Sequence, residues 1–125
     1  QHAASVSAAR LHVDAGAGQA EHGRHPCRRH GIGKENLIFD PLAMTISSDP
    51  RAALVTLDTI KLLKQRLGVK CSLGISNVSF GLPNRAVVNN AFLALALNSG
   101  LSCAIVNPSS PEVISTYKSF VISIV

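Results

Sequence analysis

Two side chains in the sequence could do chemistry together, the carboxylate of Asp40 and the carboxamide of Asn77. Asn77 lies in the densest run of small and polar residues in the chain, Leu73-Gly74-Ile75-Ser76-Asn77-Val78-Ser79-Phe80-Gly81-Leu82-Pro83-Asn84-Arg85. An ionised Asp only accepts hydrogen bonds, whereas an Asn amide both donates and accepts. Together they can recognise a flat heterocycle that offers an edge of N–H donors and a ring nitrogen. Gly74 and Ser76 would let such a ring come close to the backbone. Strand-to-helix loops also carry Ser, Asn and Gly for turn geometry alone, and it is the company of Asp40 that the turn explanation leaves out.

Other candidates are weaker. His22, His25, Cys27 and His30 have the short gaps of a zinc site. The segment has no apolar residues to support such ligands, however, and Arg24, Arg28 and Arg29 would set positive charge beside a cation, so no metal is expected. Cys27, Cys71 and Cys103 are odd in number and lack CxxC spacing. Cys71 and Cys103 sit in apolar, strand-like surroundings, which predicts reduced, buried thiols in a cytoplasmic protein.

Each of these residues must be placed by a repeated local pattern. Leu37-Ile38-Phe39 reads as a buried parallel strand that ends in Asp40-Pro41. Ser47-Ser48-Asp49-Pro50 supplies helix caps and a proline for the first turn, and Ala53, Leu57, Ile60, Leu63 and Leu67 follow at helical spacing until Gly68. Val69 to Ile75 is the second predicted strand, and Ser76 to Asn84 the loop after it. A helix from about Arg85 to Ser99, with Val88, Ala91, Phe92 and Leu95 on one face, stops at Gly100. Leu101 to Val106 is the third strand, ended by Asn107-Pro108, and Ser110-Pro111-Glu112 opens a third helix. Strand ends recur at intervals of roughly 30 to 35 residues, the length of one βα unit. Such units build a parallel sheet, either doubly wound or part of an eight-fold barrel. Asp40, Ser76, Asn77 and Asn107 then share the carboxyl ends of the strands, where barrel enzymes carry their chemistry. Gly16-Ala17-Gly18 follows no strand, so a dinucleotide-binding loop is excluded.

Composition narrows the function classes. The chain has 125 residues, 46% apolar and 15% charged, so it can make one domain or a piece of one. Its longest apolar stretches, such as Ala91 to Leu97, are too short for a membrane span, and Ala3 to Ala9 is too short and weak for an export signal. The net charge of +5 is lopsided. All five histidines, with Arg10, Arg24, Arg28 and Arg29, fall within residues 1–30, whereas the chain from Gly31 onward holds an ordinary mixture of charges. The few aromatic residues are not interleaved with Arg or Lys, so nucleic-acid binding is not expected.

At the polar residues the sequence resembles a known family. Asp40-Pro41-Leu42, then Gly74-Ile75-Ser76-Asn77-Val78-Ser79, then Asn84-Arg85 opening a helix, is similar to the pterin-binding methyltransferases. These comprise the methyltetrahydrofolate:corrinoid methyltransferases and the folate domain of cobalamin-dependent methionine synthase. The resemblance runs from about Gly31 to Tyr117. Dihydropteroate synthase shares the barrel but has Ser-Arg-Lys where this chain has Ser76-Asn77-Val78, so the methyltransferase branch fits better.

The resemblance implies an α/β fold, the last three βα units of a TIM (β/α)8 barrel, with Asp40 anchoring the pterin ring and Asn77 at its N5, the atom that bears the methyl group. It places Gly74, Ser76 and Arg85 in the same pocket. It implies methyltetrahydrofolate as substrate and, as partner and methyl acceptor, a corrinoid (cobalamin) on another domain or protein. Residues 1–30, rich in His, Arg, Gly and Ala without periodicity, read as an irregular segment outside the family pattern, and residues 31–125 as the barrel part. Three such units would leave open sheet edges to which a second copy could pair, making a homodimer. Two other readings follow from the same residues. One is a dihydropteroate synthase-like enzyme. The other is a non-catalytic basic module working through residues 1–30.

Overall fold

In the computed structural model, which describes residues 31–123, each expected strand is present and shorter than its apolar run. The strands are β1 (Ile38–Phe39), β2 (Lys70–Gly74) and β3 (Cys103–Ile105), and the helices after them are α1 (Ala52–Leu62), α2 (Arg85–Asn98) and α3 (Pro111–Ser123). The expected cap of α1 is shifted: Asp49 Oδ1 accepts the Arg51 amide at 2.9 Å in the turn ahead of the helix, Pro50 precedes the first turn, and the N-cap residue Arg51 makes no side-chain cap bond, whereas Pro111 is the first residue of α3 as expected. The Ser110 hydroxyl donates to Glu112 at 2.7 Å and holds that carboxyl below its ordinary value. One departure from a regular helix is the wide turn Leu63–Leu67 after α1, where the Gly68 amide reaches back to the Leu63 carbonyl at 3.0 Å. Gly68, at φ 63°, then reverses the chain into β2.

The three strands form one parallel sheet in the order β1-β2-β3, with Phe39 beside Cys71 and Leu73 beside Ala104. Because strand order follows chain order and crossovers are right-handed, α1 and α2 lie on the same face. The core is the layer between that face and the helices, where Cys71 and Leu73 of β2 meet Leu57, Ile60, Phe92, Leu93 and Ala96.

No other described element covers the opposite face of the sheet. Ile38 is 65% and Ile105 62% exposed, and they share this face with Lys70, Ser72, Gly74 and Cys103. The expectation of two buried thiols is therefore corrected for one of them. Cys71 is buried, but Cys103, paired in register with Ser72, is exposed. Burial raises the Cys71 pKa, with Lys64 opposing the shift. In a Cys27→Ser background, an aromatic disulfide reagent should label Cys103 in the native chain and Cys71 only on unfolding; equal native rates would contradict this assignment.

Candidate functional site

Asp40 ends β1 in a tightly held turn. Its Oδ1 accepts the Leu42 amide at 2.9 Å, and its other oxygen has no partner among the described residues. Leu42 has φ 58°, a left-handed conformation that is uncommon for a non-glycine residue. Its carbonyl accepts the buried Thr56 hydroxyl of α1 at 3.0 Å. Asp40-Pro41-Leu42 is thus held from within by a carboxylate and from below by a helix. The second non-glycine residue with positive φ among those described is Asn84, at φ 51°, just before α2. Strained positions cluster at functional sites, and these two flank the candidate one.

Ser76 and Asn77 do not lie in an open loop, as the sequence predicts. Residues Ile75–Ser79 form a single 3-10 helix that buries Ile75, Val78 and Ser79 and leaves Ser76 and Asn77 exposed. Arg85, at the start of α2, donates from Nη2 to the Ser76 carbonyl at 2.9 Å and from Nε to Ser79 Oγ at 3.0 Å. Its guanidinium carbon lies 5.9 Å from the centre of the Phe80 ring. On the other side, the hydroxyls of Thr45 and Ser47 reach the Phe80 carbonyl at 2.7 and 2.9 Å, and the Ile46 amide donates to the Val78 carbonyl at 3.0 Å. The chain segment that follows Asp40 is therefore fastened to the turn that carries Asn77.

The Asn77 amide makes no hydrogen bond with the other described residues and lies over Gly74. A Cβ built on Gly74 would meet its Nδ2 at 3.4 Å, ordinary contact, and Gly74 has a φ of −75°. Neither conformation nor protein packing demands glycine there. What its absent side chain leaves is clear space beside the Asn77 amide.

Ser76 and Arg85 also line a cleft of about 460 Å³ between the ends of β2 and β3, where Asn89 and Asn90 of α2 and Asn107 and Ser110 join them. The structure thus brings Ser76 and Arg85 together and sets Gly74 against Asn77. Asp40, Gly74 and Asn77 are not in the cleft wall; the segment after Asp40 reaches the turn that carries Asn77 through Thr45 and Ser47. The side-chain oxygens of Asn89 and Asn90 are buried and have no hydrogen-bond partner among the described residues. Buried polar atoms are nearly always paired, so these two mark residues that the sequence reading missed. The signal is two adjacent Asn set between apolar residues in the middle of the helix. Ser79 was likewise visible only as part of the motif.

Among the described residues no three His, Cys, Asp or Glu side chains gather as metal ligands, and the cluster from His22 to His30 lies outside those residues. No described helix is long and apolar enough to cross a membrane.

The described residues form a parallel βα sheet with fastened polar turns at the ends of β1 and β2, and comparison with known proteins gives the family. Residues 4–107 match the family of pterin binding enzymes, and the chain belongs to that family. The match begins upstream of Gly31 and so takes in most of the segment whose composition stands apart. Among curated proteins, the chain is 27% identical over 86 residues to a methylcorrinoid:tetrahydrofolate methyltransferase of Eubacterium limosum. It is 38% and 36% identical over 86 residues to the methionine synthases of Mycobacterium leprae (strain TN) and Mycobacterium tuberculosis (strain ATCC 25618 / H37Rv). The first alignment covers 68% of this chain and 32% of the relative; the other two cover 63% of this chain and 7% of each relative. The chain is thus a pterin-binding domain related to these methyltransferases, and it spans under a third of their length.

Proposed function

We propose that this domain binds 5-methyltetrahydrofolate and takes part in transfer of its N5 methyl group to the cobalt(I) of a corrinoid carried by a separate domain or protein. The observation that carries the reading is the Asn77 amide, held on a fastened turn over Gly74 and unengaged by the other described residues. The second oxygen of Asp40, unengaged by the other described residues, would accept from the N–H edge of the pterin. Asn77 would donate to N5. A tertiary amine is a poor leaving group, because the electron pair of the breaking C–N bond must remain on nitrogen. A donor at N5 stabilises that pair as the methyl departs, and one such donor is worth about 3 kcal/mol in the transition state. Asn77 has no proton to give, so N5 takes its proton from solvent or a relay. The open sheet face, with Ile38 and Ile105 exposed, suits a sheet that continues into the other strands of an eight-unit barrel.

Titration of the chain with 5-methyltetrahydrofolate tests the reading. Saturable binding is expected, weakened about tenfold or more in Asp40→Ala by loss of hydrogen bonds to a charged acceptor. A chain that binds no pterin, or an Asp40→Ala variant that binds as tightly as the parent, would overturn it.

A further inference from the structure

We infer that Ser79 is a positioning residue: its hydroxyl locks the Arg85 guanidinium onto the turn that presents Ser76 and Asn77, and so sets the direction of the Asn77 amide. The inference rests on the reading above for what that amide meets, while the lock itself stands on geometry. Ser79 is completely buried, and its single hydroxyl is used in both senses. It donates to the Ser76 carbonyl at 3.2 Å and accepts from Arg85 Nε at 3.0 Å. Arg85 Nη2 reaches the same Ser76 carbonyl at 2.9 Å. The three bonds close a ring around the peptide that joins Ser76 to Asn77.

Two physical points make this ring more than local packing. A 3-10 helix of five residues has poor hydrogen-bond geometry of its own, so bonds from outside decide whether it persists. A cation in the first turn of a helix opposes the helix dipole, so Arg85 stands where a positive charge is least favoured by α2 itself. Its placement is explained by what the guanidinium holds. When the ring is broken, the bonds from Thr45, Ser47 and Ile46 still hold the far end of the turn. The chain then stays folded while Ser76 and Asn77 loosen.

The test is NMR on the full chain with Ser79→Ala, Arg85→Ala and the double variant, alongside 5-methyltetrahydrofolate affinity. In Ser79→Ala, hydrogen exchange at Arg85 Nε–H should quicken and pterin affinity fall, each about tenfold, the scale of one charge-assisted hydrogen bond. In the Arg85→Ala background, Ser79→Ala should weaken affinity clearly less than its tenfold effect in the parent, since the guanidinium it holds is already gone and only its bond to the Ser76 carbonyl remains to be lost. Unchanged exchange at Arg85, or affinity losses that multiply in the double variant, would overturn the lock. If Ser79→Ala does not fold, Arg85→Lys tests the ring from its exposed side. The Phe80 amide, bonded to the Asn77 carbonyl at 3.3 Å, should then exchange about tenfold faster, and an unchanged rate would overturn the lock. A parent chain that binds no pterin would fail the functional reading, while the exchange rates would still decide the lock.

Discussion

Asn77→Ala should slow methyl transfer from 5-methyltetrahydrofolate about a hundredfold while weakening pterin binding only about threefold or less. The asymmetry follows from when the interaction is made. In the bound substrate the N5 lone pair is only a weak acceptor for an amide N–H. As the C–N bond breaks, a second electron pair localises on nitrogen and the same hydrogen bond strengthens, so its loss raises the barrier more than it reduces affinity. The fold should not suffer, because Asn77 is exposed and its side chain is bonded to no other described residue. The assay is single-turnover methyl transfer to a cobalt(I) corrinoid in the polypeptide that carries this domain, beside equilibrium binding of the substrate. A variant that loses affinity and keeps its rate would reverse the role given to Asn77 and leave Asp40 as the principal determinant.

Phe92→Ala should cost about 3–5 kcal/mol of unfolding free energy, a large part of the 5–15 kcal/mol typical of a domain. Phe92 is 3% exposed and lies in the cluster formed with Leu93, Ala96 and the covered face of β2. Its removal takes away the transfer free energy of a ring and leaves a cavity that the neighbouring strand cannot collapse to fill. Leu95, three residues on and 53% exposed, is the internal control, and Leu95→Ala should change stability by about 0.5 kcal/mol or less. Urea unfolding of the two variants measures both effects. Similar losses would mean that α2 presents another face to the core.

That pair of residues also shows where the sequence stops being informative. Spacing places Val88, Ala91, Phe92 and Leu95 together, but the structure buries Phe92, Leu93 and Ala96 and turns Ala91 and Leu95 outward. From Ala91 to Leu97 every residue is apolar, so no hydrophobic face stands out and the sheet beneath selects one. The wide turn after α1 leaves no mark in the sequence for a related reason, since its residues keep a helical period. The exposure of Cys103 is not legible in the sequence because an apolar strand reads alike whether one face is covered or both. The helix start at Pro111 was legible because a proline in the first turn acts within a few residues, and the start at Arg85 because the turn residues Pro83 and Asn84 precede the apolar run.

The candidate site divides in the same way. Asp40, Gly74, Ser76, Asn77 and Arg85 were legible as residue types at spacings that resemble one family, and the family match bears out that resemblance. The sequence by itself determined the three βα units, their parallel pairing and the polar motif at the ends of the first two strands, since periodicity, caps and turn residues are short-range properties. Only the tertiary structure decided that Ser76–Asn77 is a fastened turn, that Thr45 and Ser47 bind it through Phe80, more than thirty residues away, and that Arg85 serves Ser79. Those bonds join segments that meet only after the sheet has formed and the helices have packed on it, so no local pattern could encode them.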